Sequence, residues 1–170
     1  MISSSDAQPA HPASPSRRSI PLVSLVVAAV AVLFDQITKH WAVSSLNDGR
    51  VVHVVWTLQF NLSFNGGMAF GRASGLGPYI GVVATIVVIA LVLSLKRTDS
   101  SLQTVAVGLI IGGALGNIID RLFRGDAWLH GKVVDFIDFQ WFAIFNVADA
   151  CINIGGALLV LAYFLGGRHA

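Results

Sequence analysis

Four apolar stretches, each long enough to cross a lipid bilayer, constrain this chain more than any other feature of its sequence. A membrane-spanning helix needs about 20 mostly apolar residues, and such stretches cover residues 20–41, 78–95, 102–119 and 141–165. Charged residues make up only 12% of the 170 residues. A soluble domain carries roughly 25%, so polar side chains are too few here to coat a water-exposed surface. We therefore predict an all-α multi-pass membrane protein with four transmembrane helices.

The remaining segments divide into a tail and two polar loops. Residues 1–18 are rich in Ser, Ala and Pro, which predicts a disordered tail, and one membrane domain follows over residues 19–166. The segment 42–77 contains the run VVHVVWTLQF at 51–60, whose loose alternation favours β-strand. We expect a small β-sheet over 42–77, lying on the membrane.

Charge and cysteine content exclude several classes of partner. The net charge of +2 is too small to indicate nucleic-acid binding. The single cysteine, Cys151, excludes an intrachain disulfide and a cysteine-rich metal site. Because no H-E-x-x-H or C-x-x-C motif is present either, we predict neither a metal nor a cofactor.

The distribution of Lys and Arg gives a weaker indication of orientation. With both termini inside, the inner side would hold five basic residues and the outer side six, so the count alone does not decide. The five inner residues flank the spans tightly or lie in a short turn, where the positive-inside rule applies best. We expect both termini to be cytoplasmic.

The polar residues that fall near the spans gather at one end of the predicted bundle, where the first and third helices end and the fourth begins. They are Asp35, Lys39, Asn117, Asp120, Arg121, Asp135, Asn146 and Asp149. Asp35 and Lys39 are four residues apart and predict an intrahelical ion pair. The spacing of Asp120 and Arg121 predicts an Arg–Asp clamp that closes the third helix.

Asp149 is the most informative of these residues. If the fourth helix begins near residue 141, Asp149 lies about 12 Å along it, inside the hydrocarbon. An Asp at that depth costs about 2.5–3.5 kcal/mol, so a functional role is expected. A second acid of the site is either Asp135 or Asp138, and local sequence does not choose between them.

Two carboxylates in one site share a proton, because they do not ionise together easily. The ionised member can take a proton from water while the protonated member gives one to a leaving amine. The residues thus indicate either a membrane-embedded acid-dyad hydrolase or a small proton-coupled transporter. A non-catalytic membrane scaffold is a third possibility.

Five short motifs occur in this chain in a fixed order. They are D-Q-I-T-K (35–39), N-G-G-M-A-F (65–70), G-G-A-L-G-N-I-I-D-R (112–121), V-V-D-F-I (133–137) and F-N-V-A-D (145–149). Taken together, they resemble the motifs of the bacterial lipoprotein signal peptidases, also called signal peptidase II.

This resemblance implies a four-helix aspartic endopeptidase of the bacterial inner membrane, with its active site near the periplasmic face. It also implies a small β-cradle over about 42–77 on the outer membrane face. Its substrates would be diacylglyceryl-modified prolipoproteins, embedded in membrane lipid and cut before the lipidated cysteine, and globomycin-type antibiotics would inhibit it. The family's catalytic pair maps onto Asp135 and Asp149. Positions that support the site or contact substrate map onto Asp35, Lys39, Asn65, Gly67, Asn117, Asp120, Arg121 and Asn146.

One departure from the family pattern lies just before V-V-D-F-I. The stretch GDAWLHGK at 125–132 is longer than the family's usual short link. Because it leaves the five motifs intact, we expect activity to be retained.

Overall fold

The computed structural model describes residues 21–67, 76–95 and 100–166. Four helices and three strands follow one another along the chain. They are α1 (Leu22–Leu46), β1 (Val52–Val55), β2 (Leu58–Asn65), α2 (Gly77–Ser94), α3 (Ser101–Phe123), β3 (Val133–Asp138) and α4 (Val147–Gly166). The predicted disordered tail at 1–18 lies outside the described residues, as do residues 96–99 of the turn between α2 and α3.

All four helices are long and apolar enough to cross a membrane, as the sequence predicts. Two of them extend further than expected. Helix α1 runs to Leu46 rather than to residue 41, and α3 runs to Phe123 rather than to residue 119. As a result, Asp120 and Arg121 lie within α3.

Helix α1 shows how a helix buries polar residues inside a membrane bundle. Its buried positions recur every three or four residues and carry small or polar side chains: Ser24, Ala28, Ala31, Asp35, Lys39, Ala42 and Leu46. Large apolar side chains on its other faces, among them Val30 and Phe34, are exposed. Because lipid is as apolar as these side chains, close packing and polar contacts hold the helices together.

Helix α3 lies at the centre of the bundle and packs against α1, α2 and α4. Its glycines permit the close approach. A β-carbon at Gly112 would lie 2.7 Å from the carbonyl oxygen of Ala28, and one at Gly116 would lie 2.5 Å from Oδ2 of Asp35. Neither position accommodates a larger residue unless α1 shifts.

The β-sheet is antiparallel and has the order β1–β2–β3. The prediction of a small sheet is confirmed, and β1 and β2 lie within the expected segment 42–77. The third strand comes from 133–138, whose Asp135 is paired with Ser63 of β2. This pairing places Asp135 next to β2.

The predicted start of the fourth helix at residue 141 is also wrong. Residues 139–144 form a return loop after β3, and Phe145 then pairs with Ile137 in an isolated β-bridge. Helix α4 starts only at Val147. Asp149 therefore lies in the first turn of α4 and not about 12 Å along a helix.

Candidate active site

The N-terminus of α4 is built around Asn146 and Asp149. Oδ1 of Asn146 accepts a hydrogen bond of 2.9 Å from the backbone N–H of Asp149. In return, the backbone N–H of Asn146 donates to Oδ2 of Asp149 at 3.3 Å. This reciprocal cap satisfies N–H groups that a helix start otherwise leaves unpaired, and it fixes the Asp149 carboxylate at the end of the helix.

Asp135 lies on β3 and is only 3% exposed. Its Oδ1 accepts a hydrogen bond of 2.6 Å from the Asn146 side chain, and its Oδ2 accepts one of 3.1 Å from the side chain of Asn65. The Asn65 amide is itself oriented, because its Oδ1 accepts from the N–H of Gly67 at 3.0 Å. The predicted residues Asn65 and Gly67 thus hold one oxygen of Asp135.

A chain of two side-chain amides joins the two carboxylates. The Asn146 amide donates both to Asp135 and, at 3.3 Å, to Oδ1 of Asn117 on α3. The Asn117 amide donates in turn to Oδ1 of Asp149 at 2.8 Å. Through this chain the structure brings together one strand and two helices around the Asp135–Asp149 pair.

The two carboxylates also interact electrostatically. Burial and then the charge of Asp149 raise the pKa of Asp135 to about 6, although hydrogen bonds from Asn65 and Asn146 act in the opposite direction. Arg121 of α3 is 6% exposed, donates to the carbonyl of Asn117 at 3.1 Å, and lies close enough to interact with both charges. One buried cation is thus available beside the two acids.

The structure distinguishes Asp135 from Asp138, which local sequence leaves open. Residues three apart on a strand point to opposite faces. Oδ2 of Asp138 accepts hydrogen bonds from the Gln59 and Asn61 side chains, and Oδ1 accepts from the N–H of Gln140. Although burial raises the pKa of Asp138, these hydrogen bonds outweigh burial and leave the pKa below its usual value. Asp138 braces the return loop and takes no part in the pair.

A second buried cluster lies beneath the pair and is centred on Lys39. Its Nζ lies 2.9 Å from Oδ2 of Asp35, 2.8 Å from Oδ2 of Asp120 and 2.9 Å from Oδ1 of Asn117. Lys39, Asp35 and Asp120 are all 0% exposed. The predicted Asp35–Lys39 ion pair is confirmed, and Asn117 connects this cluster to Asp149.

The remaining oxygens of the cluster reach the two elements that carry the pair. Oδ1 of Asp35 accepts from the N–H of Ala148 in α4 at 2.9 Å. Oδ2 of Asp120 accepts from the N–H of Val134 in β3 at 3.1 Å. The cluster therefore fixes α4 and β3 against the same two helices, one residue away from Asp149 and Asp135 respectively.

Two residues that the sequence reasoning missed complete this cluster. The Gln36 side chain donates to Asp35, to the carbonyl of Gly116 and to Asp120. Arg124 forms an ion pair of 2.8 Å with Asp120, so the predicted Arg–Asp clamp at the end of α3 involves Arg124 and not Arg121. The four-residue spacing of Asp120 and Arg124 could have indicated this pair.

Comparisons with known proteins all indicate the same protein family. A family model described as "Signal peptidase (SPase) II" matches residues 27–165. The chain is 39% identical over 141 residues to the lipoprotein signal peptidase of Bifidobacterium longum (strain DJO10A), covering 82% of this chain and 77% of that relative. It is 37% identical over 163 residues to the lipoprotein signal peptidase of Rhodococcus jostii (strain RHA1), covering 95% of this chain and 81% of that one.

The fold is similar to that of experimentally solved membrane proteins. A structure described as a bacterial membrane enzyme superimposes with a TM-score of 0.76 at 31% identity, covering 90% of this chain and 94% of the other. A second one, solved at 1.9 Å, gives a TM-score of 0.73 at 32% identity. The similarity therefore extends over the four helices and the sheet.

Proposed function

The chain belongs to the signal peptidase II family, and from this premise we propose that it cleaves diacylglyceryl-modified prolipoproteins before the lipidated cysteine, with Asp135 and Asp149 as the catalytic pair. The observation that carries the proposal is the hydrogen-bonded chain Asp135–Asn146–Asn117–Asp149. It holds two acids from different elements in one electrostatic environment. The family's relatives are named lipoprotein signal peptidases, which supports the substrate class.

The unequal environments of the two acids support a division of roles. Asp135, whose pKa is raised to about 6, is the member that holds the proton. Asp149 lies in the first turn of α4, where the helix dipole favours a negative charge, and it serves as the base.

The reaction then follows general acid–base hydrolysis of an amide. Asp149 takes a proton from water, and the water oxygen attacks the carbonyl carbon of the scissile bond. Asp135 protonates the carbonyl oxygen as the tetrahedral intermediate forms. When the intermediate collapses, the C–N bond breaks, the amine leaves with the proton that Asp149 had taken, and one hydroxyl of the intermediate returns its proton to Asp135 as the new carboxyl group forms. The buried guanidinium of Arg121 offers a positive charge close to the pair, which stabilises negative charge that develops on the carbonyl oxygen before its protonation is complete.

The placement of the pair suits a substrate that is anchored in the membrane. Asp149 lies at the start of α4, and Asp135 lies on a sheet that follows the end of α1. The pair is therefore at one end of the bundle, where water and the end of a lipid-anchored helix can meet. We assign this end to the periplasmic side of the inner membrane, with both termini cytoplasmic, and we expect globomycin-type antibiotics to inhibit cleavage.

The proposal is tested by cleavage of a lipidated prolipoprotein with the purified full chain in detergent. The unlipidated precursor serves as the substrate control, and Asp48→Asn, at an exposed surface acid, serves as the protein control. We expect the wild type and Asp48→Asn to cut only the lipidated precursor, in a globomycin-sensitive reaction. Asp135→Asn and Asp149→Asn should lose at least about 10²–10⁴-fold in kcat.

The same experiment can overturn the proposal in two separate ways. If the folded wild type does not cut the lipidated precursor, the peptidase activity is wrong and the transporter is favoured. If the wild type cuts but either folded Asn variant cuts at a similar rate, the activity stands and the assignment of the pair is wrong.

A further inference from the structure

The loop between α3 and β3, residues 124–132, contains the stretch that is longer than the usual link in this family. The structure shows that it folds back on the end of α3. The N–H of Gly131 donates to the carbonyl of Arg121 at 2.9 Å, and a β-carbon at Gly125 would lie 2.5 Å from the backbone N of Gly131. The two ends of the loop are thus pinched together, and the residues between them form a compact projection.

Leu129 is the one residue of this projection that is deeply buried among those the structure describes. It is 2% exposed, whereas its neighbour Trp128 is 70% exposed. Its backbone has a φ of 59°, in the left-handed region that bulky residues rarely adopt. Such a conformation persists only where the surroundings hold it. Here the buried side chain and the turn closed by the hydrogen bond of 3.0 Å from the N–H of His130 to the carbonyl of Ala127 hold it.

The contacts of Leu129 are made with α2, on the side of that helix where Arg121 also lies. A β-carbon at Gly81 of α2 would lie 2.9 Å from Cδ2 of Leu129 and 3.4 Å from Cδ of Arg121. The leucine side chain and the aliphatic part of Arg121 therefore cover the same glycine. Gly77, one turn earlier in α2, faces the Leu129 carbonyl and the Gly66 carbonyl, next to the Asn65–Gly67 turn that holds Asp135.

We propose that Leu129 is a positioning residue: its side chain is a wedge against Gly81, next to the Arg121 side chain over the same glycine, and it fixes the Arg121 guanidinium beside Asp135 and Asp149. The catalytic part of this inference rests on the proposed function. Arg121 is a long side chain that loses considerable rotamer freedom when it is fixed. An apolar side chain that fills the space next to the stem of Arg121 lowers that cost before substrate binds, which is the benefit of a preorganised site.

The experiment uses the full chain and separates the side chain from the backbone. Leu129→Gly removes the wedge but suits the left-handed φ, whereas Leu129→Met keeps an apolar side chain of similar volume. Leu95→Ala is the matched control, because Leu95 is also buried, at 1% exposure, but follows the other end of α2. Two properties are measured: the rate at which phenylglyoxal modifies Arg121, mapped by mass spectrometry, and kcat and KM for a lipidated prolipoprotein.

We expect Arg121 to be protected in the wild type, in Leu129→Met and in Leu95→Ala. In Leu129→Gly its modification should be at least about tenfold faster, and kcat should fall about 10–100-fold because a small misplacement of a catalytic group is costly. KM should change little, because the wedge faces Arg121 and α2. A merely structural role of Leu129 would instead lower stability and leave the modification rate of Arg121 in the folded protein unchanged.

Several results would overturn the inference. These are an unchanged modification rate in folded Leu129→Gly, an unchanged kcat in that variant, or equal exposure of Arg121 in Leu95→Ala. If Leu129→Gly does not fold, Gly81→Ala gives the second test, since its β-carbon displaces the tip of Leu129 and should accelerate the modification. If the wild type does not cut lipidated prolipoprotein, the proposed function fails, and the modification rates still decide whether Leu129 positions Arg121.

Discussion

Replacing Asp135 with Asn should change the pH dependence of folding stability in a direction that the structure fixes. The pKa of Asp135 is raised from 3.8 to about 6 in the folded protein by burial and by the charge of Asp149. Ionisation of Asp135 is therefore harder in the folded state than in the unfolded state. Its contribution to stability is fully present below pH 3.8 and is lost as the pH rises through about 6.

The magnitude follows from the size of the shift. A difference of about two pKa units corresponds to about 3 kcal/mol at roughly 1.4 kcal/mol per unit, and the 3% exposure of Asp135 leaves little solvent screening. The free energy of unfolding of the wild type should thus lose about 3 kcal/mol through this group between pH 4 and pH 8. Asp135→Asn carries no ionisable group at position 135 and should not show this loss of stability.

The measurement is the unfolding of purified wild type and Asp135→Asn in detergent at several pH values. The free energy of unfolding of Asp135→Asn, relative to that of the wild type, should rise by about 2–3 kcal/mol between pH 4 and pH 8. The altered hydrogen bonds of the variant add a difference that does not depend on pH and does not affect this comparison. Asp138→Asn is the matched control on the same strand. Because the pKa of Asp138 is lowered from 3.8, its contribution is present above that value and is lost only as the pH falls below it. This variant should therefore change little relative to the wild type between pH 4 and pH 8. Parallel pH profiles for wild type and Asp135→Asn would refute the reasoning.

Two further predictions concern the cluster beneath the pair. Lys39→Met should destabilise the protein by about 3–5 kcal/mol, because it leaves buried Asp35 without its ion-pair partner and leaves Asp120 paired only with the partly exposed Arg124. The triple variant with Asp35→Asn and Asp120→Asn should recover part of this loss, and chemical denaturation of both variants would show no recovery if charge were irrelevant. Gly116→Ala should cost about 1–3 kcal/mol by overpacking, because its β-carbon would lie 2.5 Å from Oδ2 of Asp35. Gly156→Ala, which meets no atom within 4 Å, should be neutral or slightly stabilising, and equal losses in the two variants would contradict the packing argument.

The membrane helices could be predicted from sequence because the apolar length that a bilayer requires is a property of the chain alone. The start of α4 could not. Residues 141–145 are as apolar as a membrane span, and what excludes them from the helix is the bridge between Phe145 and Ile137. Such a contact depends on the register of β3, which local sequence does not fix.

The choice between Asp135 and Asp138 also depends on strand pairing, which local sequence does not fix. Both are acids in one short strand and differ only in the face on which they lie. Which face meets α4 is decided by the pairing of β3 with β2 and by the return of the chain through Phe145. The resemblance to a family could select Asp135, whereas spacing along the chain could not.

The buried charges of the Lys39 cluster are better explained by the positions they give to α4 and β3 than by a gain in folding stability. An apolar replacement of a buried ion cluster is often as stable or more so, since desolvation offsets the attraction between the charges. A replacement without oxygens would, however, lose the hydrogen bonds that Asp35 makes to Ala148 and that Asp120 makes to Val134. These two bonds set α4 and β3 against one common cation, Lys39. The separation of Asp135 and Asp149, the proposed catalytic acids, is thus fixed by backbone contacts made one residue away from each of them. Their own oxygens are left to the amides of Asn65, Asn117 and Asn146 and to the proposed reaction.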